Sequence, residues 1–310
     1  MKRHNPIAAV VLLALLSVLP CRLFAQQDPL YSQYMFNIQP FNPAYAGSWQ
    51  SPGITLLSRQ QWMGFENNPE TQTLTFQIPF SSKVGGGLSL MNDDMGRLNR
   101  KALFADYSYG IKVNSQTMLR LGISAGVSNF RNRLNDIVII DPDDPSLLPE
   151  ESNLWLPNAG VGCFIHSSRF YAGLSAPKLL LNESGTHKNS FSINNLYLIG
   201  GFVLPISPGI EMKPSASVRY TNDEPLVADI NLSFLIADVF WIGGLFRTSD
   251  EIKFGLNTSV IIANTLRLGY AYDFMHYAGL NSYSGATHEL MLSIEFHTRE
   301  KVKFVSPRYF

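Results

Sequence analysis

The sequence predicts an all-β fold, a transmembrane antiparallel β-barrel of about 14 strands with an irregular N-terminal lead-in. Three observations predict it: an export signal, segments of about ten residues that alternate between apolar and polar side chains, and a low content of charge. Hydrophobic residues make up 45% of the 310 residues, and charged residues only 15%. Part of the protein surface must therefore be apolar, and outer-membrane lipid would cover such a surface.

The first 25 residues have the pattern of a secretory signal peptide. Lys2 and Arg3 precede an apolar run from Ile7 to Leu19, and Ala25 offers a cleavage site before Gln26. We therefore expect residues 1–25 to be removed during export.

Cys21 raises the alternative of a lipid-modified N-terminus, but the preceding Pro20 fits that signal badly. Cleavage after Ala25 leaves Cys163 as the single cysteine, so no intramolecular disulfide is expected. On a strand, such a thiol is expected to act as a small hydrophobic residue.

The chain beyond the signal contains no apolar run long enough for a membrane helix, and alternating segments recur instead. In the segment 71–80, Leu74, Phe76 and Ile78 alternate with polar residues. An even number of strands would leave both chain ends on one side of the membrane. The clearest segments are 71–80, 119–127, 210–220, 252–262, 266–274 and 290–296, and weaker ones are 54–62, 84–92, 102–113, 158–166, 169–176, 194–204, 226–236 and 239–247.

A soluble β-sandwich would also alternate, but its outward positions should be rich in Lys and Glu. Here the polar positions hold mainly Gly, Ser, Asn and Thr, as expected of a wall that faces a lumen or a plug. Aromatic residues near segment ends are typical of interfacial girdles. These residues are Tyr107, Tyr109, Tyr171, Tyr220, Tyr270, Tyr272 and Phe274.

The sequence divides into residues 1–25, the signal peptide; residues 26–50, an aromatic-rich periplasmic lead-in or plug; and residues 51–310, an outer-membrane β-barrel with a periplasmic C-terminal tail. Prolines in the lead-in prevent a regular helix or a central strand. Its aromatic residues could pack into the lumen or dock a periplasmic partner. Residues 131–157 and 275–286 are predicted to be long external loops.

No motif supports an active site, so we expect the protein not to be an enzyme and to use no cofactor. Gly122-Ile123-Ser124-Ala125-Gly126 matches the string of a hydrolase nucleophile elbow, but Ser124 lies within an alternating strand pattern and no helix follows. Gly85-Gly86-Gly87 lacks the helix of a phosphate-binding loop and is predicted to be a bend in a strand.

Metal and nucleic-acid binding are not expected either. His288-Glu289 opens like a zinc-protease motif, but Leu292 occupies the position of the second histidine. Asp141, Asp143 and Asp144 leave calcium in an external loop as an alternative to a solvated turn. Basic and acidic residues number 24 each, so no basic field exists to attract nucleic acid.

The lead-in, QQDPLYSQYMFNIQPFNPAYAGS at residues 26–48, resembles the start of the mature PorP/SprF family of type IX secretion and gliding-motility membrane proteins. Later strings such as Arg59-Gln60-Gln61-Trp62, Gly269-Tyr270-Ala271-Tyr272-Asp273 and His288-Glu289-Leu290 extend the resemblance along the mature chain. The matching lead-in positions are Asp28, Pro29, Ser32, Gln33, Tyr34, Met35, Asn37, Asn42, Pro43, Ala44, Tyr45, Ala46 and Gly47, and all of these except Ala46 are also candidates for docking a partner.

The resemblance implies a component of the cell outer membrane that supports protein export or surface anchoring. The implied partners are periplasmic type IX secretion components, such as peptidoglycan-binding or ring proteins, and a secreted surface adhesin. The resemblance supplies no catalytic residues. Two alternatives stay open at this point: an outer-membrane channel for small or hydrophobic solutes, and an outer-membrane hydrolase that uses Ser124.

Overall fold

A computed structural model describes residues 29–49, 51–64, 67–96, 98–132, 153–182, 189–191, 195–222, 225–248, 252–274 and 285–296. The predicted signal peptide, the Asp-Pro-rich loop and the C-terminal tail from residue 297 onwards lie outside these ranges. The strands are β1 (Gly53–Gln60), β2 (Glu70–Pro79), β3 (Val84–Met95), β4 (Leu98–Lys112), β5 (Met118–Asn132), β6 (Asn153–His166), β7 (Phe170–Ala176), β8 (Leu180–Asn182), β9 (Asn189–Phe191), β10 (Asn195–Phe202), β11 (Leu204–Ser207), β12 (Ile210–Thr221), β13 (Val227–Ile236), β14 (Phe240–Thr248), β15 (Ile252–Ile262), β16 (Leu266–Phe274) and β17 (Thr287–Glu295).

The strands form one closed antiparallel ring. The first strand pairs with the last over eight residues, from Gly53 opposite Glu295 to Gln60 opposite His288. Strand β10 pairs with both β7 and β12, β11 continues its position beside β12, and β8 and β9 form a separate hairpin. The ring therefore has 14 strand positions, which confirms the predicted fold. Closure gives every strand position of the ring a neighbour on both sides, so the ring has no free edge in the bilayer.

The alternation in the sequence corresponds to the two faces of the wall. On β2, Thr71, Thr73 and Thr75 are buried inside the ring, while Leu74 is exposed on the outside. Large apolar side chains are exposed in the same way around the ring, with Ile123 on β5 59% exposed and Leu256 on β15 55% exposed. Only lipid stabilises such an exposed apolar belt, and the polar positions face the lumen.

Two sequence-based assignments were wrong in detail. Tyr171 was assigned to the interfacial girdle, but it is only 2% exposed and packs against Phe164 inside the ring. Side chains alternate between the two faces along β7. Phe170 occupies an outward position, so its neighbour Tyr171 faces the lumen. The loop predicted at residues 131–157 is also shorter, since β5 continues to Asn132 and β6 begins at Asn153.

The two ends of the barrel differ in the length of their connections. At one end, the short-turn end, strands are joined by residues 80–83, 113–117, 167–169, 208–209, 237–239 and 263–265. At the other, the long-loop end, connections include residues 61–69, 133–152 and 275–286. Outer-membrane barrels have short periplasmic turns and long external loops, so the short-turn end is the periplasmic end. Strand β1 begins and β17 ends there.

No helix in the part of the chain that the structure describes is long and apolar enough to cross a membrane.

The depth of the lipid-facing belt can be tested on β15. Leu256 lies near the middle of the strand on the outer face, and Ile262, on the same face, ends the strand. Leu256→Arg should lower the free energy of unfolding from lipid by about 2–4 kcal/mol, because its charge would lie near the bilayer centre. Ile262→Arg, near the interface, should cost about 0–1 kcal/mol. Denaturant titration in phospholipid vesicles measures both, and equal costs would contradict the proposed membrane depth.

Candidate functional site

The residues between Pro29 and Trp49 lie inside the ring and are here called the inner segment. Residues 31–39 and 42–48 are all buried, although the segment contains no regular helix or strand. Two short 3-10 turns, Tyr34–Phe36 and Pro43–Tyr45, give it a compact path. In the second turn, the Asn42 side chain accepts a hydrogen bond from the Ala44 backbone N–H, and Pro43 occupies the first helical position.

The inner segment runs through the lumen from one end to the other. Near its start, the Tyr31 carbonyl accepts a hydrogen bond from Arg247, which is one residue from the long-loop end of β14. The Tyr31 hydroxyl is hydrogen-bonded to Thr73 on β2. At its other end, the Trp49 ring packs against Gly53, the first residue of β1, at the short-turn end. The segment therefore begins in the outer half of the barrel and leaves at the periplasmic end.

A cluster of buried charges holds the start of the inner segment. We call Arg59, Asp229, Arg247, Asp273 and Glu289 the Arg59 cluster. Arg59 lies 2.9 Å from Asp273 and 3.0 Å from Glu289, and Arg247 lies 2.6 Å from Asp229. None of the five side chains is more than 8% exposed.

The inner segment supplies the donors that the Arg59 cluster lacks. The cluster has three carboxylates and two guanidinium groups, so its formal charge is negative. The backbone N–H groups of Ser32 and Gln33 donate to the two oxygens of Glu289, each at 2.8 Å. The Ser32 hydroxyl lies 2.7 Å from one Asp273 oxygen and also accepts from Arg59 at 2.9 Å. These donors offset part of the excess negative charge.

An apolar core fills the lumen towards the short-turn end. Phe36 packs edge-on against Trp241 with ring centroids 5.7 Å apart, and Tyr45 packs against Phe164 at 5.3 Å. The Lys213 amine lies 4.6 Å from the centroid of the Phe36 ring, a cation–π contact.

Glycines in the wall bring its backbone directly against the inner segment. Gly122 on β5 faces the backbone of Pro43 and Ala44, and a Cβ there would overlap both. Gly162, the cross-strand partner of Gly122, faces the Asn42 side chain, whose Nδ2 donates to the Cys163 carbonyl at 2.9 Å.

A second group of glycines lies on β3. Gly85 meets Ala46 and Gly47, and Gly87 meets the Gln39 side chain. Gly47 itself has a φ of 67°, a conformation that favours glycine. The Gly85-Gly86-Gly87 string, predicted to be a strand bend, pairs with β2 in a continuous ladder and makes room for the segment.

The structure brings the candidate docking residues together inside the lumen. Asn37 accepts a hydrogen bond from Thr75 at 3.1 Å, and Met35 is fully buried, with its carbonyl 3.4 Å from the Lys213 amine. Asp28 lies outside the described residues. Those placed in the inner segment are Pro29, Ser32, Gln33, Tyr34, Met35, Asn37, Asn42, Pro43, Ala44, Tyr45 and Gly47.

Sequence reasoning missed the Arg59 cluster as a site. Arg59, Asp273 and Glu289 belong to strings noted in the sequence, but they come from the first strand and the last two. The sequence signal that could have revealed this cluster is a charged residue at a lumen-facing position near the end of a strand. Over the described ranges, no group of three or more His, Cys, Asp or Glu could hold a metal ion. Ser124 is a wall residue of β5, within a regular ladder.

Comparison with known proteins identifies a family and a fold. The family model described as "Type IX secretion system membrane protein PorP/SprF" matches residues 23–294. No curated protein matches the chain.

The chain is similar to three solved structures. The TodX monoaromatic hydrocarbon channel deltaS2 mutant has a TM-score of 0.54 at 9% identity, over 84% of this chain and 94% of that one. The CymD monoaromatic hydrocarbon channel has a TM-score of 0.51 at 10% identity, over 89% and 96%. The Acinetobacter baumannii outer membrane protein Omp33 has a TM-score of 0.49 at 9% identity, over 81% and 100%. At these identities the first two show the fold alone.

The Arg59 cluster should make a large contribution to stability. Arg59→Ala would leave Asp273 and Glu289 buried without their shared cation, so we expect the free energy of unfolding to fall by about 3–5 kcal/mol. Denaturant titration in detergent micelles measures this change. Arg169→Ala, in an exposed turn, serves as the control and should stay within about 0.5 kcal/mol. A loss below about 1 kcal/mol for Arg59→Ala would show that the buried ion pairs contribute little.

The glycine contacts should hold the inner segment in place. A side chain at Gly122 would overlap Ala44, and such overpacking costs about 1–3 kcal/mol. In Gly122→Val, chymotrypsin should therefore cut within residues 29–49 about tenfold faster than in the unmodified protein, or more. The control is Gly244→Val, because a Cβ there has a single neighbour, a carbonyl oxygen at 3.9 Å. Equal cleavage of the two variants, mapped by mass spectrometry, would argue against tight docking.

Proposed function

Because the chain belongs to the PorP/SprF family of type IX secretion system membrane proteins, we propose that it supports protein export or surface anchoring through periplasmic partners. The protein is an outer-membrane component of that system. The observation that carries the proposal is the occupied lumen. The inner segment fills the periplasmic half of the lumen with an apolar core, and buried ion pairs hold it in the outer half. A barrel occupied in this way acts on other proteins through its outer surfaces.

The proposed role is non-enzymatic. Ser124 lies within the β4–β5 and β5–β6 ladders, opposite Asp106 and Gly160. A hydrolase nucleophile needs a sharp strand-to-helix turn that exposes its hydroxyl. We propose that Ser124 is a small wall residue, and we expect Ser124→Ala to support secretion as the unmodified protein does.

The proposed partners are periplasmic ring or peptidoglycan-binding proteins of the secretion system and a secreted surface adhesin. The short-turn end is the surface that faces the periplasm. It presents compact turns and the emerging end of the inner segment at Trp49. We further propose that residues 1–25 are removed on export, that residues 26–50 form the plug, and that the end of the chain is a periplasmic tail.

The alternative function is a channel for small or hydrophobic solutes. TodX and CymD are named as monoaromatic hydrocarbon channels, and a cavity in the outer half of the lumen favours this alternative. The apolar core argues against a channel, because it fills the lumen on the periplasmic side of the cavity. Passage would therefore require the inner segment to move.

Conductance separates the two functions. In planar bilayers the unmodified protein should be electrically silent, because the inner segment fills the lumen. Gly122→Val should open steps of conductance by displacing the segment, while Gly244→Val should stay silent. Stable open channels in the unmodified protein would favour the channel function.

The secretion role is tested in the native host by deletion of the gene. We expect one or more surface proteins to disappear from the quantified surface proteome and to return on complementation with the unmodified protein or with Ser124→Ala. Pull-down from solubilised outer membrane should recover a periplasmic partner. An unchanged surface proteome without such a partner would overturn the proposed role, and failure of Ser124→Ala alone would revive the hydrolase alternative.

A further inference from the structure

A cavity of about 90 Å³ lies in the outer half of the lumen, beside the inner segment. Tyr31, Gln39 and Phe41 of the segment form one side of it. Residues of β2 to β5, among them Phe104 and Asp106, form the other. The cavity exceeds the roughly 10–15 Å³ that a single water needs and is smaller than the roughly 150 Å³ of a cavity known to bind benzene. A single ring is therefore the largest group that it can admit.

The walls are largely apolar and rigid. Tyr31 and Phe41 pack together with ring centroids 5.7 Å apart, and Phe41 packs on Tyr197 at 5.3 Å. Four prolines also line the cavity, and they lose little conformational entropy when a ligand binds. They are Pro29, Pro40, Pro43 and Pro177. Such walls favour a flat aromatic group over a hydrated polar one.

The cavity contains one buried carboxylate, that of Asp106, and its lining also includes the cationic residues Arg100 and Lys178. Asp106 is 9% exposed, and its Oδ2 accepts a hydrogen bond from the Gln39 Nε2 at 3.0 Å. Among the described residues, no ion pair neutralises it. A buried carboxylate with a single amide donor is costly, and a further donor would lower that cost. The residue lines the cavity, so a bound molecule can supply the donor.

The position of the cavity indicates entry from the cell exterior. Arg100 and Tyr197 line it, each two residues from the long-loop end of its strand, and Asp106 lines it near the middle of β4. Towards the periplasm, the core around Phe36 and Tyr45 fills the lumen. The cavity is therefore a pocket that ends inside the barrel.

We propose that this pocket binds an aromatic ring that carries an O–H or N–H donor, presented from the cell exterior, with Asp106 as the hydrogen-bond acceptor. The ring lies among Tyr31, Phe41 and Phe104, and its donor points to the free side of the carboxylate. This binding activity goes beyond the secretion role. Two sources share the required chemistry, a free phenol-like molecule and an aromatic side chain of a protein at the surface.

Calorimetry on the purified full-length protein in detergent tests the proposal with p-cresol and toluene, which differ by one hydroxyl group. We expect saturable binding of p-cresol and about tenfold or more weaker binding of toluene, since a site built around a hydrogen bond rejects the analogue that lacks the donor. N-acetyltyrosinamide represents the protein side chain. Its binding in place of p-cresol would identify a protein as the source. Equal binding of p-cresol and toluene, or no saturable binding of any probe, would overturn the proposal.

Three variants locate the binding. Asp106→Leu should weaken the binding of the donor-bearing probe about tenfold or more and leave toluene unchanged. Ala102→Phe should abolish binding of all probes by filling the cavity, and it keeps the test valid if Asp106→Leu does not fold. Ala105→Phe, on the lipid-facing side of the same strand, is the matched control and should bind normally. Unchanged p-cresol binding in Ala102→Phe would place the probe elsewhere and overturn the proposal.

Discussion

The rest of the structure depends on the ion pair between Arg59 and Glu289, because this pair links closure of the ring to docking of the inner segment. Arg59 on the first strand is the direct cross-strand partner of Glu289 on the last, so the pair spans the seam where the ring closes. Glu289 also accepts two backbone N–H groups from the inner segment. A buried carboxylate is costly unless its partners are all present. Closure of the ring and docking of the inner segment are therefore favoured together, since each completes the other's charge balance.

The polar wall replaces the secondary structure that the inner segment lacks. A buried chain without helix or strand still needs partners for its backbone groups. Wall residues supply them: Ser108 and Ser175 donate to the Ala46 and Phe41 carbonyls at 2.6 and 2.7 Å, and Arg247 donates to Tyr31. Where no partner is needed, glycine allows direct contact between the backbones. This division explains why many inward positions beside the inner segment hold Ser, Asn, Thr or Gly, whereas large residues such as Phe164 and Trp241 face the lumen at the apolar core.

The sequence predicted the ring well because its signal is local. Apolar and polar side chains alternate with a period of two residues within each strand. Apolar residues such as Leu74 and Leu256 lie on the predicted outer face. Tyr171 was misplaced because an aromatic residue near the end of a strand suits the membrane interface and the lumen equally well. The Arg59 cluster could not be predicted, since residues more than 200 positions apart meet only when the ring closes. The contact of Gly122 with Ala44 depends on tertiary packing in the same way.

The two halves of the lumen differ in what they can do. The periplasmic half is filled by a buried apolar core around Phe36, Tyr45 and Trp241, so a change there requires several rings to move together. The outer half combines ion pairs with a cavity, and the inner segment borders both. Each of the 14 strand positions of the ring has a ladder on both sides, whereas the inner segment is held by side-chain contacts and hydrogen bonds to the wall. A molecule that displaces Tyr31 or Gln39 therefore acts on the least constrained element of the lumen, and that element continues to Trp49 at the periplasmic end.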